Sequence, residues 1–433
     1  MADKPAFGFI NPQPYMADAI ERLNEHLAIH AIHPLGWYPA EMSALADDCR
    51  ARGIRAVGGF AQKDAFQHLL INEQLGNMVP SRLAFFYCMN KYLMRTLEQR
   101  PFFFAPVDPM HESDDAIIAR IPDEEWPFML KNTSLSLGRG IFKISDADKL
   151  RHVLASYRED WELQNLIASQ TASWLDGVDR ESVPAIAPPF IAEHYVDLNQ
   201  CVEYCYEGYV TADGRIVHYA LTEEIYFSDH QALGYLTPPM SISGHMADRI
   251  EAWVEGYMRR LVDLGYRNQF FNLEFWIMPD GSINLTEINP RAAHSYHYNY
   301  LYSFGNELFA DNLLLAAGDR PGGDTPWHQW RAGADHAYTL VVLITGKEAG
   351  RVADILDYDY VERLEQEEGV LIRHMKNPDD EIREGDLTAA GVMLLQLWIS
   401  AATVPELIQG ERTIRSSIYR TPQSDVEYPD YWE

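Results

Sequence analysis

Residues 271–291 constrain this chain more than any other stretch. They read Phe-Asn-Leu-Glu274-Phe-Trp-Ile-Met-Pro-Asp280-Gly281-Ser-Ile-Asn-Leu-Thr-Glu287-Ile-Asn289-Pro-Arg291. Asp-Gly between two alternating apolar runs is the strongest short signal for a β-hairpin, and it predicts a two-residue type I′ loop. With Asp280 and Gly281 as that loop, Glu274 and Glu287 fall directly opposite one another, on one face and about 5 Å apart at Cβ. Asn289, two residues beyond Glu287, shares that face. Like charges placed opposite each other destabilise a sheet unless a cation separates them. Two carboxylates and an amide oxygen form a hard-oxygen set suited to Mg²⁺, which completes its shell with water and phosphate oxygens. Arg291 adds a planar fork for a phosphoryl or carboxylate group. The competing reading is a solvated acidic strand face.

The charge balance limits partners. The 433 residues carry 64 acidic and 35 basic side chains, a formal charge of −29. Nucleic acid and anionic membranes are bound mainly through Lys and Arg, so neither is an expected partner. A hydrophobic content of 47% belongs to a globular chain rather than a disordered one. The length predicts about three folding units. Cys49, Cys88, Cys201 and Cys205 are too few and too scattered for a disulfide framework, and are expected as free thiols in a reducing compartment. Prolines interrupt the N-terminus before a signal-peptide core could form. The most apolar stretch, 389–404, is short of the roughly 20 residues needed to cross a bilayer. The expected location is the cytoplasm.

Along the chain, strands are expected at Ala6–Ile10, 29–32 and 54–57, with helices at 17–27 and 42–52 between them. This alternation argues for a small parallel sheet covered by helices. No G-x-G-x-x-G follows the first strand, so NAD is not expected there. A helix at 90–99 leads into a Pro- and Phe-rich connection at 101–109. Strands are then expected at 127–131 and Ile141–Ile144 around a small, polar loop, followed by a helix at 147–168 and strands at Phe190–His194 and Val202–Val210. A last α+β portion, with strands at 339–345 and 370–374 and a helix at 404–410, ends in an acidic, aromatic tail at 425–433. No internal repeat or low-complexity tract is present.

Glu274 followed by Glu287-x-Asn289-x-Arg291 after a hairpin resembles the magnesium-binding signature of ATP-grasp enzymes. The likeness continues upstream in the expected order. Asn90-Lys91-Tyr-Leu-Met-Arg95 resembles the first lysine helix. Pro127-Phe-Met-Leu-Lys131, with the loop to Gly138-Arg139-Gly140-Ile141, resembles the lysine strand and phosphate-covering loop. Phe190-Ile-Ala-Glu193-His194-Tyr195-Val196 resembles the hinge that meets adenine, and Cys201-Val202-Glu203 the strand after it. Roughly residues 1–320 can be laid on this plan.

The resemblance implies an α/β and α+β architecture: a Rossmann-like pre-ATP-grasp domain (1–88), an ATP-grasp domain (89–330, with a small nucleotide-covering subdomain at about 122–195) and a C-terminal α+β lobe (331–433). It implies ATP and Mg²⁺ (or Mn²⁺) as cofactors, with Glu274, Glu287 and Asn289 as metal ligands. Lys91, Lys131, Ser136 and Gly138 would meet the phosphates, and Glu193, His194, Tyr195, Val196 and Glu203 the nucleoside. Arg291 would act on the transferring phosphoryl group, and His294 and His297 on the substrate. The phosphate loop departs from the family by being poor in glycine: either the hydroxyls of Thr133, Ser134 and Ser136 supply the missing donors, or the loop closes differently over the phosphates.

The C-terminal pattern resembles the L-amino-acid ligase branch. The implied activity is an ADP-forming ligase joining a small carboxylic or amino acid to an amine through an acyl phosphate. A carboxylase-type or kinase-like member and a non-catalytic nucleotide-binding regulator are the alternatives. A homodimer is the expectation from common symmetry alone.

Overall fold

The computed structural model describes residues 4–135, 140–178, 188–227, 232–367, 369–387 and 391–421. Ser136, Gly138 and the tail at 425–433 lie outside the described residues.

The chain opens with three short strands, β1 (Ala6–Ile10), β2 (Ala28–Ile32) and β3 (Ile54–Gly58), which form a parallel sheet of order β2-β1-β3. Helices Pro39–Ala51 and Gln62–Leu75 pack against it through Met42, Ala46, Phe66 and Leu69. The second helix begins three residues before the expected start because Pro39 sits in its first turn, where the missing N–H costs nothing.

Four strands, β4 (Phe104–Val107), β5 (Phe128–Asn132), β6 (Ile141–Ile144) and β7 (Phe190–His194), make an antiparallel sheet of order β4-β7-β5-β6. Between β6 and β7 the expected single helix is two, Ala147–Glu159 and Trp161–Trp174. Asp160 breaks the run by leaving the helical conformation and capping the second helix through Leu163 N–H, at 2.9 Å.

The remaining strands build one antiparallel sheet of eight. They are β8 (Val202–Val210), β9 (Ile216–Tyr226), β10 (Ala232–Thr237), β11 (Gln269–Ile277), β12 (Ile283–Asn289), β13 (Tyr338–Gly346), β15 (Leu371–His374) and β17 (Val392–Ala401), while β14 (Gly350–Arg351) pairs separately with β16 (Glu381–Ile382). The order is β12-β11-β8-β9-β10-β13-β17-β15, so the C-terminal portion extends the sheet that carries the hairpin. Helix Gly244–Asp263 covers one face with Ala247, Ile250, Val254, Met258 and Leu261, a helical stripe laid over Phe271, Leu273 and Phe275. Alternation on β11 therefore sends Glu274 to the opposite face.

The hairpin departs from its expected form twice. Met278 N–H donates to Ser282 O at 2.9 Å and Gly281 N–H to Met278 O at 2.8 Å, so Pro279-Asp280-Gly281 form a three-residue loop. Gly281 takes the left-handed conformation (φ +78°) that this loop requires. The longer loop shifts the register by one residue, and a bulge at Thr286 restores it: Phe275 pairs with Leu285, but Glu274 pairs with Glu287. The two departures cancel at the one pair that matters. The bulge also follows from the apolar spacing, because it lets Leu285 and Ile288, three apart, both reach the core under helix Gly244–Asp263.

Candidate active site

Glu274 and Glu287 face each other across β11 and β12, and Asn289 lies beside them. Its amide nitrogen reaches Glu274 Oε1 at 3.1 Å and Glu287 Oε1 at 3.2 Å. Neither glutamate makes an ion pair with a described Lys or Arg. Burial and then the Glu287, Glu224 and Glu203 carboxylates push the Glu274 pKa well above the ordinary carboxylate range. This electrostatic conflict is the kind a divalent cation relieves. No three described His, Cys, Asp or Glu side chains converge as a metal site by themselves. Two carboxylates plus an amide nevertheless fit Mg²⁺, which draws its remaining ligands from water and phosphate. A half-turn of the Asn289 amide would present oxygen in place of nitrogen.

Two lysines, Lys91 and Lys131, lie close to one another near this pair. Asn90 caps helix Lys91–Thr96 by accepting from Tyr92 and Leu93 N–H, both at 3.1 Å, which places Lys91 in its first turn. Lys91 N–H is tied to Thr133 O at 2.8 Å, and its ammonium donates to Leu135 O at 2.8 Å. Lys91, Glu287 and Asn289 line one crevice. Burial lowers the Lys91 pKa, while Glu287 pulls it back up. Lys131, from β5, meets Glu193 Oε2 at 2.8 Å and lies over the Trp276 ring.

Glu193 is fully engaged inside the protein. Its other oxygen accepts from Arg95 Nε at 2.7 Å. Burial would raise its pKa, but Arg95 and Lys131 outweigh burial and hold it at about 2. Arg95 also pairs with Glu98 at 2.8 Å and donates to the carbonyl of Leu285, whose N–H donates to Glu98 at 3.1 Å. The Lys131–Glu193–Arg95–Glu98 chain thus grips the hairpin next to the Thr286 bulge. Sequence reasoning missed Arg95 and Glu98 in this role. Their i, i+3 spacing, with Arg95 in the last turn of a short helix and Glu98 just past its end, was the available signal.

The base of the loop between β5 and β6 is closed by Asn132 N–H donating to Gly140 O at 2.8 Å, and Asn132 Oδ1 accepts from Ser134 and Leu135 N–H. The expectation for Thr133 and Ser134 is corrected. Both are buried, with the Thr133 hydroxyl donating to Pro188 O and the Ser134 hydroxyl bonded to Thr171, so both hydroxyls are spent on holding the loop base. On the hinge, His194 bonds to Glu125 at 2.7 Å, Tyr195 lies under the Lys143 ammonium at 3.7 Å, and Val196 is buried. Glu203 accepts from the Tyr226 hydroxyl at 2.8 Å and from Thr286 at 3.1 Å.

Beyond the carboxylate pair lies a cavity of about 430 Å³. Glu203, Glu224 and Glu274 line its sheet wall, and Arg291, His294 and Arg373 are also in its lining. Arg291 and His294 thus share one cavity lining. His297 does not line it. It is fully buried in helix His297–Phe304, with its ring stacked on Phe309 at 3.8 Å, because the helical turn aims it into the core. Burial, Arg373 and Arg291 lower the His294 pKa to about 3, so the ring is neutral, with Nδ1 bonded to the Tyr15 hydroxyl at 2.6 Å. Glu224, Tyr226 and Tyr235 also line the cavity and lie on strands the sequence reading did not identify. Their signal was Asp213-Gly214, a second Asp-Gly loop closed like the first, with Gly214 N–H donating to Thr211 O at 3.0 Å.

A small antiparallel sheet carries Lys131, and a larger antiparallel sheet carries the paired carboxylates Glu274 and Glu287. The chain has the ATP-grasp fold, with a Rossmann-like N-terminal sheet ahead of it and an α+β lobe after it. Among solved structures, the L-amino acid ligase from Bacillus licheniformis is similar with a TM-score of 0.71 and 14% identity, covering 99% of this chain and 100% of its own. The N5-carboxyaminoimidazole synthase from Aspergillus clavatus, in complex with ADP and 5-aminoimidazole ribonucleotide, gives 0.64 and 15%, covering 96% and 99%. The biotin carboxylase domain of the 2-oxoglutarate carboxylase from Hydrogenobacter thermophilus gives 0.64 and 13%, covering 96% and 90%. No family model and no curated protein matches the sequence.

Proposed function

We propose that this protein is an ATP- and Mg²⁺-dependent, ADP-forming ligase that joins a small carboxylic or amino acid to an amine. The observation that carries the reading is the face-to-face Glu274–Glu287 pair with Asn289, set between two lysines and a cavity containing Arg291. Glu274, Glu287 and Asn289 would hold the metal, which when bound offsets charge on the phosphates. Lys91 and Lys131 bind phosphate oxygens, and the hinge around Glu193–Val196 frames the nucleoside. The ion pairs of Glu193 make its side chain a brace for Lys131, leaving the hinge backbone to meet the base.

The reaction needs positioning and charge compensation more than covalent help from the protein. A substrate carboxylate oxygen attacks the γ-phosphorus. The new O–P bond forms as the bond to the β-phosphate oxygen breaks, and ADP leaves. Arg291 offsets charge on the transferred group. The amine nitrogen then attacks the acyl carbon, the C–O bond to phosphate breaks, phosphate leaves and the nitrogen gives up a proton. His294, neutral and bonded to Tyr15, orients the substrate as a wall of the cavity. Its low pKa makes it a poor proton acceptor. A cavity of this size suits small reactants and not a macromolecule.

A screen of acid and amine pairs with Mg·ATP tests the reading. ADP and phosphate are the expected products, dependent on both substrates. AMP and pyrophosphate would contradict it, and so would strict dependence on bicarbonate or a stable phosphorylated product.

A further inference from the structure

Within the reading just given, one cationic group at the cavity has no assigned task. Arg373 comes from β15, near the end of the large sheet, far in sequence from every motif residue. It pairs across the sheet with Gln396 of β17. Its Nη1 donates to Gln396 Oε1 at 3.0 Å, and no described carboxylate pairs with it. In a chain with 64 acidic and 35 basic residues, a half-buried arginine without an acidic partner is out of keeping with its surroundings.

The side chain is also held in place. Its guanidinium lies 4.8 Å over the Tyr15 ring, and that ring stacks on Trp398 at 5.6 Å and 10°. Tyr15 in turn bonds to His294, so residues from the N-terminal segment, the loop after the hairpin and the C-terminal lobe fix the group jointly. Gln396 uses its amide oxygen on Arg373, and its Nε2 has no acceptor among the described residues. Both residues line the cavity, and the bond between them holds their N–H donors side by side.

We propose that Arg373, with Gln396, binds a spectator carboxylate: one belonging to a substrate but not the one that is phosphorylated. The reacting carboxylate belongs near Arg291, Glu274 and Glu287. Arg291 follows β12 at one edge of the large sheet and Arg373 lies on β15 at the other edge, with His294 near both guanidinium groups in the lining of the same cavity. A singly charged planar group suits this position better than a phosphate. The sheet wall already carries Glu203, Glu224 and Glu274, and a dianion would face stronger repulsion. The carboxylate has two possible sources, the second acid group of a dicarboxylic substrate or the α-carboxylate of an amino acid that supplies the amine. Either way, Arg373 is a specificity determinant rather than a catalytic residue.

Calorimetry on the full chain with Mg²⁺ and a non-hydrolysable ATP analogue separates the sources. One arm compares succinate and glutarate with their monoamides. The other compares L-alanine and L-glutamate with their α-amides. In at least one arm the acid is expected to bind about tenfold or more tighter than its amide. That preference is expected to fall to about twofold or less in Arg373→Met and to return in part in Arg373→Lys, with nucleotide binding unchanged in both. An unchanged preference in Arg373→Met, or no acid preference in either arm of the wild type, would overturn the proposal. The readout is binding and not turnover, so it is separate from the product analysis that tests the ligase reading.

Discussion

Two groups of glutamates, one buried around Glu193 and one half-buried at the hairpin, are treated in opposite ways. Glu193 receives two cations, Arg95 and Lys131, and its pKa is held at about 2. Glu274 and Glu287 are set face to face without an ion pair to any described Lys or Arg, and the Glu274 pKa is pushed up by burial and by its carboxylate neighbours. The first group is complete by itself and acts as a brace. The second is left in conflict, which is what a site that recruits an external cation requires. Charge spent on structure and charge held open for chemistry can thus be told apart by whether the protein supplies the counter-ion.

The strongest way to break this contrast is to remove one partner of the open pair. Glu287→Ala is expected to lower kcat/KM by about 10²–10³-fold or more while leaving the fold intact, read by steady-state kinetics beside a thermal melt. The matching change in the closed group should do the reverse. Arg95→Met strands Glu98 in the interior, leaves Glu193 with Lys131 alone, and is expected to cost roughly 3–5 kcal/mol of stability, measured by urea unfolding.

A subtler probe uses pH. A carboxyl held near 2 in the folded state contributes stability above its ordinary value of 4.5, and that stability is lost as pH falls from 4.5 toward 2. For Glu193 the loss amounts to roughly 3 kcal/mol, and Glu193→Gln should flatten the acid limb of a stability-against-pH curve. Glu207 provides a contrast of opposite sign. Buried, with Asn272 and the Ala293 N–H as its donors among the described residues, it is pushed up to about 8 by that burial. Its contribution is present below 4.5 and lost as pH rises through 8, so Glu207→Gln should flatten the limb between pH 5 and 8. The smallest effect is expected at the hairpin tip. Gly281→Ala forces a side chain into φ +78° and should cost about 1–2 kcal/mol, with turnover unchanged.

The motif residues were legible because their chemistry is unusual for their place. Two glutamates and an asparagine on one strand face, followed by arginine, have few structural explanations. The facing of Glu274 and Glu287 was nevertheless inferred through a wrong loop. The true three-residue turn and the Thr286 bulge offset each other, and only the 2-then-3 apolar spacing of Ile283, Leu285 and Ile288 carried a trace of the bulge. Other parts were hidden for physical reasons. Ile216–Tyr226 is buried on both faces, so it lacks the alternation that marks a half-exposed strand, and Glu224 was lost with it. Arg95 and Arg373 act through partners about a hundred residues or more away in sequence, among them Glu193 and Leu285 for Arg95 and Tyr15 for Arg373. Only the fold brings those partners together. His297 shows the converse: its neighbours in sequence pointed to the cavity, but the helix turns it into the core.

The most direct test of the account follows an oxygen atom. A substrate acid labelled with ¹⁸O in its carboxylate, turned over with Mg·ATP and an amine, should transfer one labelled oxygen to the released inorganic phosphate. ¹⁸O in phosphate alongside ADP is the predicted result. Unlabelled phosphate, or label recovered in AMP, would contradict the assignment of Glu274, Glu287 and Asn289 to phosphoryl transfer onto a carboxylate.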